Sequence, residues 1–391
     1  MFLDITLRRN IDLVETAINL HQSGQIRANT YVLDLDRIVE NAKLIKEEAD
    51  KNNVEIYMMT KQIGRNPEVA KRIAQVGIEK AVAVDPWEAM VLAKHGIKIG
   101  NVGHLVQIPS NMIKEILKLD PEVVTVFSVE KAKEIALEAE KQGKVQDILL
   151  RVVDSDDLIY EGQTGGFKFE KLLESAKEIM KYKGARIVGV TVFPCFLYNP
   201  EKGTVEKTHN SKTLINSAKV LEKELNIKLK QINAPSANSI ASISMIRDIG
   251  GTHGEPGHAF TGTIPINAYR DQPEIPAMVY VSEISHCYNG KAYVFGGGYY
   301  RRGNIRKAMV GSSLGKGLNN ILEASDISPT NIDYYGELII GDKKISIGDT
   351  VIYAFRTQIF VTRSEVALVE GISNNNPRVL GIYDSFGNRL R

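Results

Sequence analysis

The sequence predicts an α/β protein in which a (β/α)8 barrel is followed by a smaller, mainly β domain. Between residues 55 and 257 a short apolar run, a turn and an amphipathic stretch alternate eight times, which is the pattern of a parallel barrel. After residue 265 the pattern changes to alternating strands separated by turns, which is typical of an all-β domain. The competing architecture, a doubly wound open sheet, usually has a Gly-rich first turn, which this chain lacks.

The predicted barrel strands are short and apolar, as expected of parallel strands that are buried on both faces. They are Ile56–Lys61, Ala81–Asp85, Ile99–His104, Val123–Phe127, Ile148–Val153, Ile187–Phe193, Lys230–Ala234 and Thr252–Glu255. The stretches between them have apolar residues at helical spacing. The predicted helices are Pro67–Val76, Pro86–Lys94, Val129–Lys141, Phe169–Lys181 and Ser211–Leu225.

The predicted strands of the β domain alternate apolar and polar residues. They are Ala277–Ile284, Lys291–Phe295, Glu337–Ile340, Lys344–Ile347, Val351–Thr362 and Glu365–Val369. The strand Thr30–Leu35 precedes the barrel and could complete either domain. We therefore expect an N-terminal segment, 1–40, packed with the β domain, then the barrel, 41–265, and the β domain, 266–391.

Composition indicates a small-molecule partner and excludes several function classes. The 391 residues include 49 basic and 47 acidic ones, without a concentrated basic block, so nothing indicates nucleic acid or an anionic membrane as a partner. The two cysteines, Cys195 and Cys287, are too few for a disulfide framework. Because no secretory signal and no apolar run of about 18 residues is visible, we expect a cytoplasmic protein.

Lys61 is the first candidate functional residue. It ends the first predicted strand and is followed by a Gly-containing turn, Gln62 to Pro67. Because α/β barrels keep their active sites at the carboxyl ends of the strands, the amine is expected at the site. The alternative is a solvent-facing lysine that closes an ordinary strand.

Two further turns fall on the same end of the predicted barrel. The turn Asn233 to Ser239 has small residues and backbone amides before a helix and can hold a phosphate, although a plain capped turn is the alternative. The turn after strand eight places Glu255 beside a proline, and Gly257 lets the backbone approach an anion. A pyridoxal 5′-phosphate (PLP) site needs these three groups: an amine that forms an imine with the aldehyde, a turn that binds the phosphate, and a carboxylate that pairs with the protonated ring nitrogen.

The chain resembles the alanine-racemase-like, fold-type III PLP enzymes, and the segment Met58 to Pro67 is similar in particular to the YhfX-like branch. The resemblance implies that Lys61 forms the internal aldimine and acts as one catalytic base. It also implies that the cofactor is bound by Arg65, Arg151, Asn238, Ser239, Glu255, Gly257 and His258, with Arg65 at a phosphate-binding position and Arg151 near the phenolic oxygen.

Two departures from the racemase pattern affect the expected chemistry. Glu255 stands where alanine racemases have an arginine, and a carboxylate there protonates the pyridine nitrogen and makes the ring a strong electron sink. Phe295 aligns with the racemase tyrosine when Gly298 to Arg302 is matched to the racemase stretch. The second base is therefore expected among other tyrosines of the β domain: Tyr299, Tyr300, Tyr334 or Tyr335.

These residues predict a PLP-dependent amino-acid racemase or epimerase that removes the α-proton through an external aldimine and a quinonoid stabilised by Glu255. A lyase on the same fold, catalysing β-elimination or decarboxylation, is the alternative. The resemblance also implies a homodimer with composite active sites. Arg356 and Gln358 stand where the zinc-dependent D-serine dehydratases of this fold carry their ligands, so no metal is expected. A barrel enzyme without PLP, in which Lys61 and Glu255 form a structural ion pair, is the opposing hypothesis.

Overall fold

The computed structural model describes residues 2–296, 299–326, 328 and 330–391. Residue 297, residue 298, which begins the predicted racemase match, and the side chain of Arg301 lie outside the described part. The chain forms two compact units. The barrel unit comprises residues 43–60 and 70–257, and the β unit comprises residues up to 42, residues 61–69 and the chain from 258 onward. The predicted boundaries at residues 40 and 265 stay predictions.

The strands, in chain order, are β1 Thr30–Asp34, β2 Glu55–Ile56, β3 Met58–Met59, β4 Lys80–Val82, β5 Lys98–Val102, β6 Val123–Val126, β7 Gln146–Val153, β8 Phe167–Lys168, β9 Ala185–Thr191, β10 Phe196–Asn199, β11 Thr204–Lys207, β12 Gln231–Asn233, β13 His253–Gly254, β14 Met278–Tyr288, β15 Lys291–Phe295, β16 Lys307–Gly311, β17 Ile321–Ala324, β18 Tyr335–Ile339, β19 Thr350–Tyr353, β20 Glu365–Glu370 and β21 Arg378–Asp384.

The helices are α1 Phe2–Arg9, α2 Ile11–Gln22, α3 Leu35–Lys51, α4 Pro67–Gln75, α5 Pro86–Lys94, α6 Ile113–Leu117, α7 Val129–Lys141, α8 Leu172–Ile179, α9 Asn210–Leu225, α10 Ile240–Asp248 and α11 Leu314–Asn319. Short 3-10 turns include Lys61–Ile63, Phe169–Lys171, Arg301–Gly303 and Ile359–Val361. Within the described ranges, no helix combines the length and the apolar character that crossing a bilayer requires.

The strands of the barrel unit pair in parallel in the order β2-β13-β12-β9-β7-β6-β5-β4-β3. β2 and β3 are two halves of the first strand, and β2 pairs with β13 while β3 pairs with β4. The first strand thus joins the last strand to the second, which closes the sheet. The predicted (β/α)8 barrel is confirmed, and the carboxyl ends of all its strands share one rim.

Local sequence explains where the barrel helices begin. Asp85 caps α5 by accepting from the backbone N–H of Glu88, and Pro86 occupies the first helical position. Ser128 caps α7 in the same way. Both helices have the predicted bounds. The predicted helix Phe169–Lys181 instead starts as a 3-10 turn, and its α-helical part is α8.

The β unit contains a nine-stranded sheet in the order β15-β18-β17-β16-β19-β14-β1-β20-β21, and a further pairing joins β15 to β14. β1 pairs antiparallel with β14 and parallel with β20. The N-terminal strand, which by sequence could have completed either domain, therefore belongs to this sheet. The predicted mainly β C-terminal domain is confirmed, and Lys291–Phe295 has the predicted bounds.

Two strand predictions in the β unit are wrong. Lys344–Ile347 forms no strand, because side chains satisfy its backbone: Asn320 Nδ2 donates to Lys344 O over 2.8 Å, and Ser346 N donates to Asp349 Oδ2 over 2.7 Å. The predicted strand Val351–Thr362 ends at Tyr353 and is followed by a 3-10 turn. The strands β16, β17 and β21 were not predicted at all.

Candidate active site

The Glu255 carboxylate is buried in the barrel unit, just beyond β13, and the residue is 7% exposed. Asn233, the last residue of β12, donates from Nδ2 to Glu255 Oε1 over 2.7 Å. Asn101 in β5 donates to the same oxygen over 3.2 Å. On the other oxygen, His104 Nε2 lies 3.7 Å from Glu255 Oε2. The predicted acid therefore lies at the barrel rim, surrounded by polar side chains that come from distant parts of the sequence.

Sequence reasoning missed Asn101 and His104 and assigned no role to Asn233. All three are essentially inaccessible to solvent. A signal was present, because each is a polar residue within or at the end of an apolar run, and a buried polar group requires a partner. The identity of that partner could not be read from the run itself.

The turn after β12 has an uncommon backbone. Ser236 and Ala237 both have positive φ, 88° and 49°, which non-glycine residues rarely adopt. Asn238 braces this turn: its Nδ2 donates to Ala234 O over 3.1 Å, and its Oδ1 accepts from the backbone N of Glu255 over 2.7 Å. The predicted phosphate turn and the predicted acid are thus held together by one buried amide side chain.

Ser239 lies at the start of α10 and is buried. It forms a capping box with Ser242, in which Ser239 N donates to Ser242 Oγ over 3.0 Å. The turn therefore ends in a capped helix, and the amino end of α10 lies at the rim. Gly257 is also buried in this unit, next to Pro256, whose carbonyl accepts from Met59 N over 2.9 Å.

Arg151 in β7 is fully buried. Its guanidinium carbon lies 4.6 Å from the centroid of the Phe127 ring, and its Nη2 and Nη1 donate to the carbonyls of Gln163 over 2.6 Å and His104 over 3.4 Å. Its Nε has no hydrogen-bond partner, and no described carboxylate acts on its charge. Burial lowers the pKa of Arg151 to about 10, so the side chain remains a cation at neutral pH.

Lys61 begins a 3-10 turn of the β unit and is half-buried. It directly follows Thr60, whose hydroxyl donates to the buried carboxylate of Glu88 in the barrel unit. The next residue, Gln62, donates from Nε2 to His258 Nδ1 over 3.3 Å. The start of the predicted lysine turn thus contacts the segment that follows the predicted Glu-Pro-Gly turn.

His258 is held as a neutral imidazole. Its Nε2 donates to Thr357 O over 2.9 Å, which leaves Nδ1 as the acceptor for Gln62. Burial, followed by the positive charges of Arg356 and Lys61, holds the pKa of His258 well below its usual range. Its side chain is therefore engaged with the β unit, and only its backbone amide remains as the predicted phosphate contact.

Arg65 is buried, and its backbone has a positive φ of 46°. Its guanidinium lies 5.7 Å from the ring centroid of Phe360 and 5.6 Å from that of Phe386, both in the β unit. These are cation–π distances. The structure thus places this side chain on aromatic rings, and its predicted contact with phosphate stays a prediction.

The predicted tyrosines differ in accessibility. Tyr299 is 8% exposed and packs edge-on against Tyr280, and burial raises the pKa of Tyr299 to about 12. Tyr300 is half-buried in the turn that precedes Arg301. Tyr335 is 37% exposed and packs edge-on against His286. Tyr299 and Tyr335 both line a cavity of about 520 Å³ in the β unit.

The structure therefore gathers the predicted residues into two groups. In the barrel unit it brings Glu255, Asn238 and the Ser239 turn together. In the β unit it brings the Lys61 turn to His258. The two groups are linked covalently, because the peptide bonds from Thr60 to Lys61 and from Gly257 to His258 connect the units. Chemically, the residues offer an amine, a buried carboxylate and a buried guanidinium.

Comparison with known proteins identifies both parts of the chain. Residues 33–265 match the family described as alanine racemase, N-terminal domain, and residues 279–379 match the YhfX-like C-terminal domain. The uncharacterised protein YhfX of Escherichia coli (strain K12) is 42% identical over 390 residues, and the alignment covers 100% of both chains.

Solved structures share the fold at low sequence identity. Alanine racemase of Clostridium difficile 630, in complex with cycloserine, has a TM-score of 0.65 at 19% identity and covers 92% of this chain and 99% of its own. D-threo-3-hydroxyaspartate dehydratase from Delftia sp. HT23 has a TM-score of 0.64 at 14% identity, with 90% and 97% covered. The chain therefore belongs to the alanine-racemase-like family, in its YhfX-like branch.

Proposed function

We propose that the protein is a PLP-dependent amino-acid racemase or epimerase in which Lys61 holds the cofactor and moves the α-proton of the substrate. The observation that carries the cofactor part of this proposal is the Glu255 carboxylate, which is buried at the barrel rim and receives two amide hydrogen bonds. A carboxylate in that position suits the protonated ring nitrogen of PLP. Family membership and the lysine at the end of the first barrel strand support the same cofactor.

The buried groups of the barrel unit fit an anionic, aromatic ligand. Arg151 is a buried cation whose Nε lacks a hydrogen-bond partner and whose charge no described carboxylate offsets. Leaving such a charge uncompensated is unfavourable, so an anion from outside the chain suits this place. The phenolic oxygen of PLP is such an anion, which supports the role proposed for Arg151.

The phosphate is assigned to the two turns at the last strands. The amino end of α10, reached through Ser239, carries backbone N–H groups and a positive dipole end, both of which favour phosphate. The backbone amides of Gly257 and His258 complete this assignment. Asn238 supports it by bracing the turn, since both ends of its amide already bind backbone groups. Arg65, which aligns with a phosphate-binding position of the family, is proposed as a further phosphate contact.

Bound PLP supplies an aldehyde that reacts with amines and a ring that delocalises the electron pair left at the α-carbon. Lys61 takes the α-proton on one face, and Glu255 stabilises positive charge at the ring nitrogen. A second group must hold a proton on the other face. Tyr300, Tyr334 and Tyr335 are the more accessible candidates, whereas Tyr299 is buried and its raised pKa makes it a weaker acid. We further propose a cytoplasmic homodimer, whose partner subunit contributes one of these tyrosines.

The cofactor is tested by spectroscopy. The purified protein is expected to be yellow, with an absorbance near ~420 nm that borohydride abolishes by fixing PLP to Lys61. Mass spectrometry of the reduced protein should place the label on the peptide that contains Lys61. The variant Lys61→Ala should lose the band, and Lys98→Ala, at the exposed start of β5, should keep it. A colourless wild-type protein that ignores added PLP would contradict the proposal.

The reaction is tested with L- and D-amino acids in heavy water. Racemisation predicts α-deuterium in both enantiomers of the substrate, followed by equal amounts of the two. A PLP-dependent lyase is the second candidate, and it is favoured by the carboxylate at Glu255, which strengthens the electron sink. Elimination would release ammonia and a keto acid, and decarboxylation would release an amine. A keto acid with ammonia, or an amine, formed without α-deuterated amino acid would contradict the racemase proposal and support the lyase.

A further inference from the structure

The Glu255 carboxylate is held by a buried hydrogen-bond network that extends beyond the residue itself. Asn233 and Asn101 both donate to Oε1, over 2.7 Å and 3.2 Å. Both amides are fully buried, and the Glu255 side chain is 2% exposed. Two donors on one oxygen favour the ionised carboxylate and weaken its hold on a proton. They also fix the orientation of the carboxylate.

The orientation of Asn101 is set by a third residue. The hydroxyl of Thr125, in the neighbouring strand β6, donates to Asn101 Oδ1 over 2.8 Å. Because the amide oxygen accepts this bond, the amide nitrogen must face Glu255. Thr125 is 1% exposed, so water does not compete for the contact. Thr125 therefore donates to Asn101, and Asn101 donates to the Glu255 carboxylate.

His104 lies on the opposite side of the carboxylate. Its Nε2 is 3.7 Å from Oε2, and the edge of Phe193 packs on its ring, with the centroids 5.6 Å apart. Oε2 of Glu255 therefore faces the His104 imidazole within the barrel unit. A ligand group that approaches Oε2 meets a carboxylate whose other oxygen is already saturated by amides.

We propose that Asn101 and Asn233 are positioning residues that, through Glu255, place the shared proton on the ring nitrogen of the cofactor rather than on the carboxylate. This inference rests on the proposed function, since it requires PLP. A proton shared by two bases resides mostly on the stronger one, and hydrogen bonds donated by the amides weaken Glu255 as a base. The electron-sink strength of the site would then be set by two asparagines that sequence comparison with the racemases did not single out.

The test is nitrogen NMR of protein reconstituted with PLP labelled with ¹⁵N in the ring. The variants Asn101→Leu and Asn233→Leu each remove one donor to Glu255. Loss of one charge-assisted hydrogen bond should change the proton distribution about tenfold, which moves the ¹⁵N shift toward the value of the unprotonated ring. Thr125→Val, which changes little volume, should move it in the same direction by less.

Gln146→Leu is the matched control, because Gln146 is a buried amide of the same barrel whose Nε2 donates to the carbonyls of Pro121 and Asp147. It should lower stability and leave the ¹⁵N shift unchanged. If all three network variants bind PLP and keep the wild-type shift, the inference is wrong while the proposed cofactor stands. If wild-type protein binds no PLP, both fail. Thr125→Val keeps the test decisive should the leucine variants not fold.

Discussion

At the scale of single residues, the site consists of charged groups whose partners are unusual. Glu255 is a buried carboxylate that binds neutral amides, and Arg151 is a buried guanidinium stacked on a phenyl ring. Proteins rarely bury a charge such as that of Arg151 unless it is paired or binds a ligand. The two residues are complementary to a ligand that carries a cationic nitrogen and an anionic oxygen.

The substitution Arg151→Met is expected to weaken PLP binding by about tenfold or more, because it removes the charge that would stabilise the phenolic oxygen. Arg151→Lys, which keeps a charge on a flexible chain, should recover part of the affinity. Affinity is measured by titrating the apoprotein with PLP and following absorbance. An Arg151→Met protein with wild-type affinity would remove Arg151 from the cofactor site.

At the scale of elements, α5 anchors the end of the first barrel strand. Glu88 lies in the first turn of α5 and is fully buried. Its Oε1 accepts from the hydroxyl of Thr60, and its Oε2 accepts from Val84 N over 2.8 Å. Because Thr60 immediately precedes Lys61, this helix fixes the backbone from which the predicted catalytic lysine departs.

The substitution Glu88→Leu is expected to lower the free energy of unfolding by about 2–4 kcal/mol, because it leaves the Val84 amide and the Thr60 hydroxyl buried without an acceptor. The control Asp85→Ala, which removes the helix cap, should cost about 1 kcal/mol. Urea unfolding of the apoproteins measures both. Equal losses for the two variants would show that Glu88 acts only as part of the cap.

At the scale of the whole molecule, buried histidines link stability to pH. Burial lowers the pKa of His253 in the barrel unit to about 4, against a usual value near 6.5. His253 packs on Tyr57 with ring centroids 5.3 Å apart, and its Nδ1 lies 2.8 Å from Thr252 Oγ1. Between these two pH values the unfolded chain binds a proton that the folded chain does not, so folding becomes less favourable.

The free energy of unfolding is therefore expected to fall as pH drops from about 6.5 to about 4, by up to about 3 kcal/mol from His253 alone, and this contribution should level off below that range. The contribution of His253 to stability is fully present above the pKa that this histidine has in the unfolded chain, near 6.5. His253→Gln should flatten the slope in this window. Urea unfolding at intervals between pH 7 and pH 4 provides the measurement. An unchanged slope in the variant would contradict a neutral buried His253.

Local pattern determined much of the fold. Short apolar runs alternating with amphipathic stretches sufficed for the barrel, because strand and helix periodicity are properties of neighbouring residues. Helices such as α5 and α7 had the predicted bounds, since their caps and prolines act within one turn. Lys61 and Glu255 were predicted as site residues because each follows a predicted strand.

Only the tertiary structure decided which buried groups meet. The β strands Lys307–Gly311 and Ile321–Ala324 were not predicted, although they pair with each other, and Lys344–Ile347 resembles a strand in sequence although side chains satisfy its backbone. Asn101, Thr125, Asn233 and Glu255 contact one another only because the barrel closes. Sequence thus determined the fold class and the candidate lysine and glutamate, whereas the environment that sets their chemistry depends on contacts between distant strands.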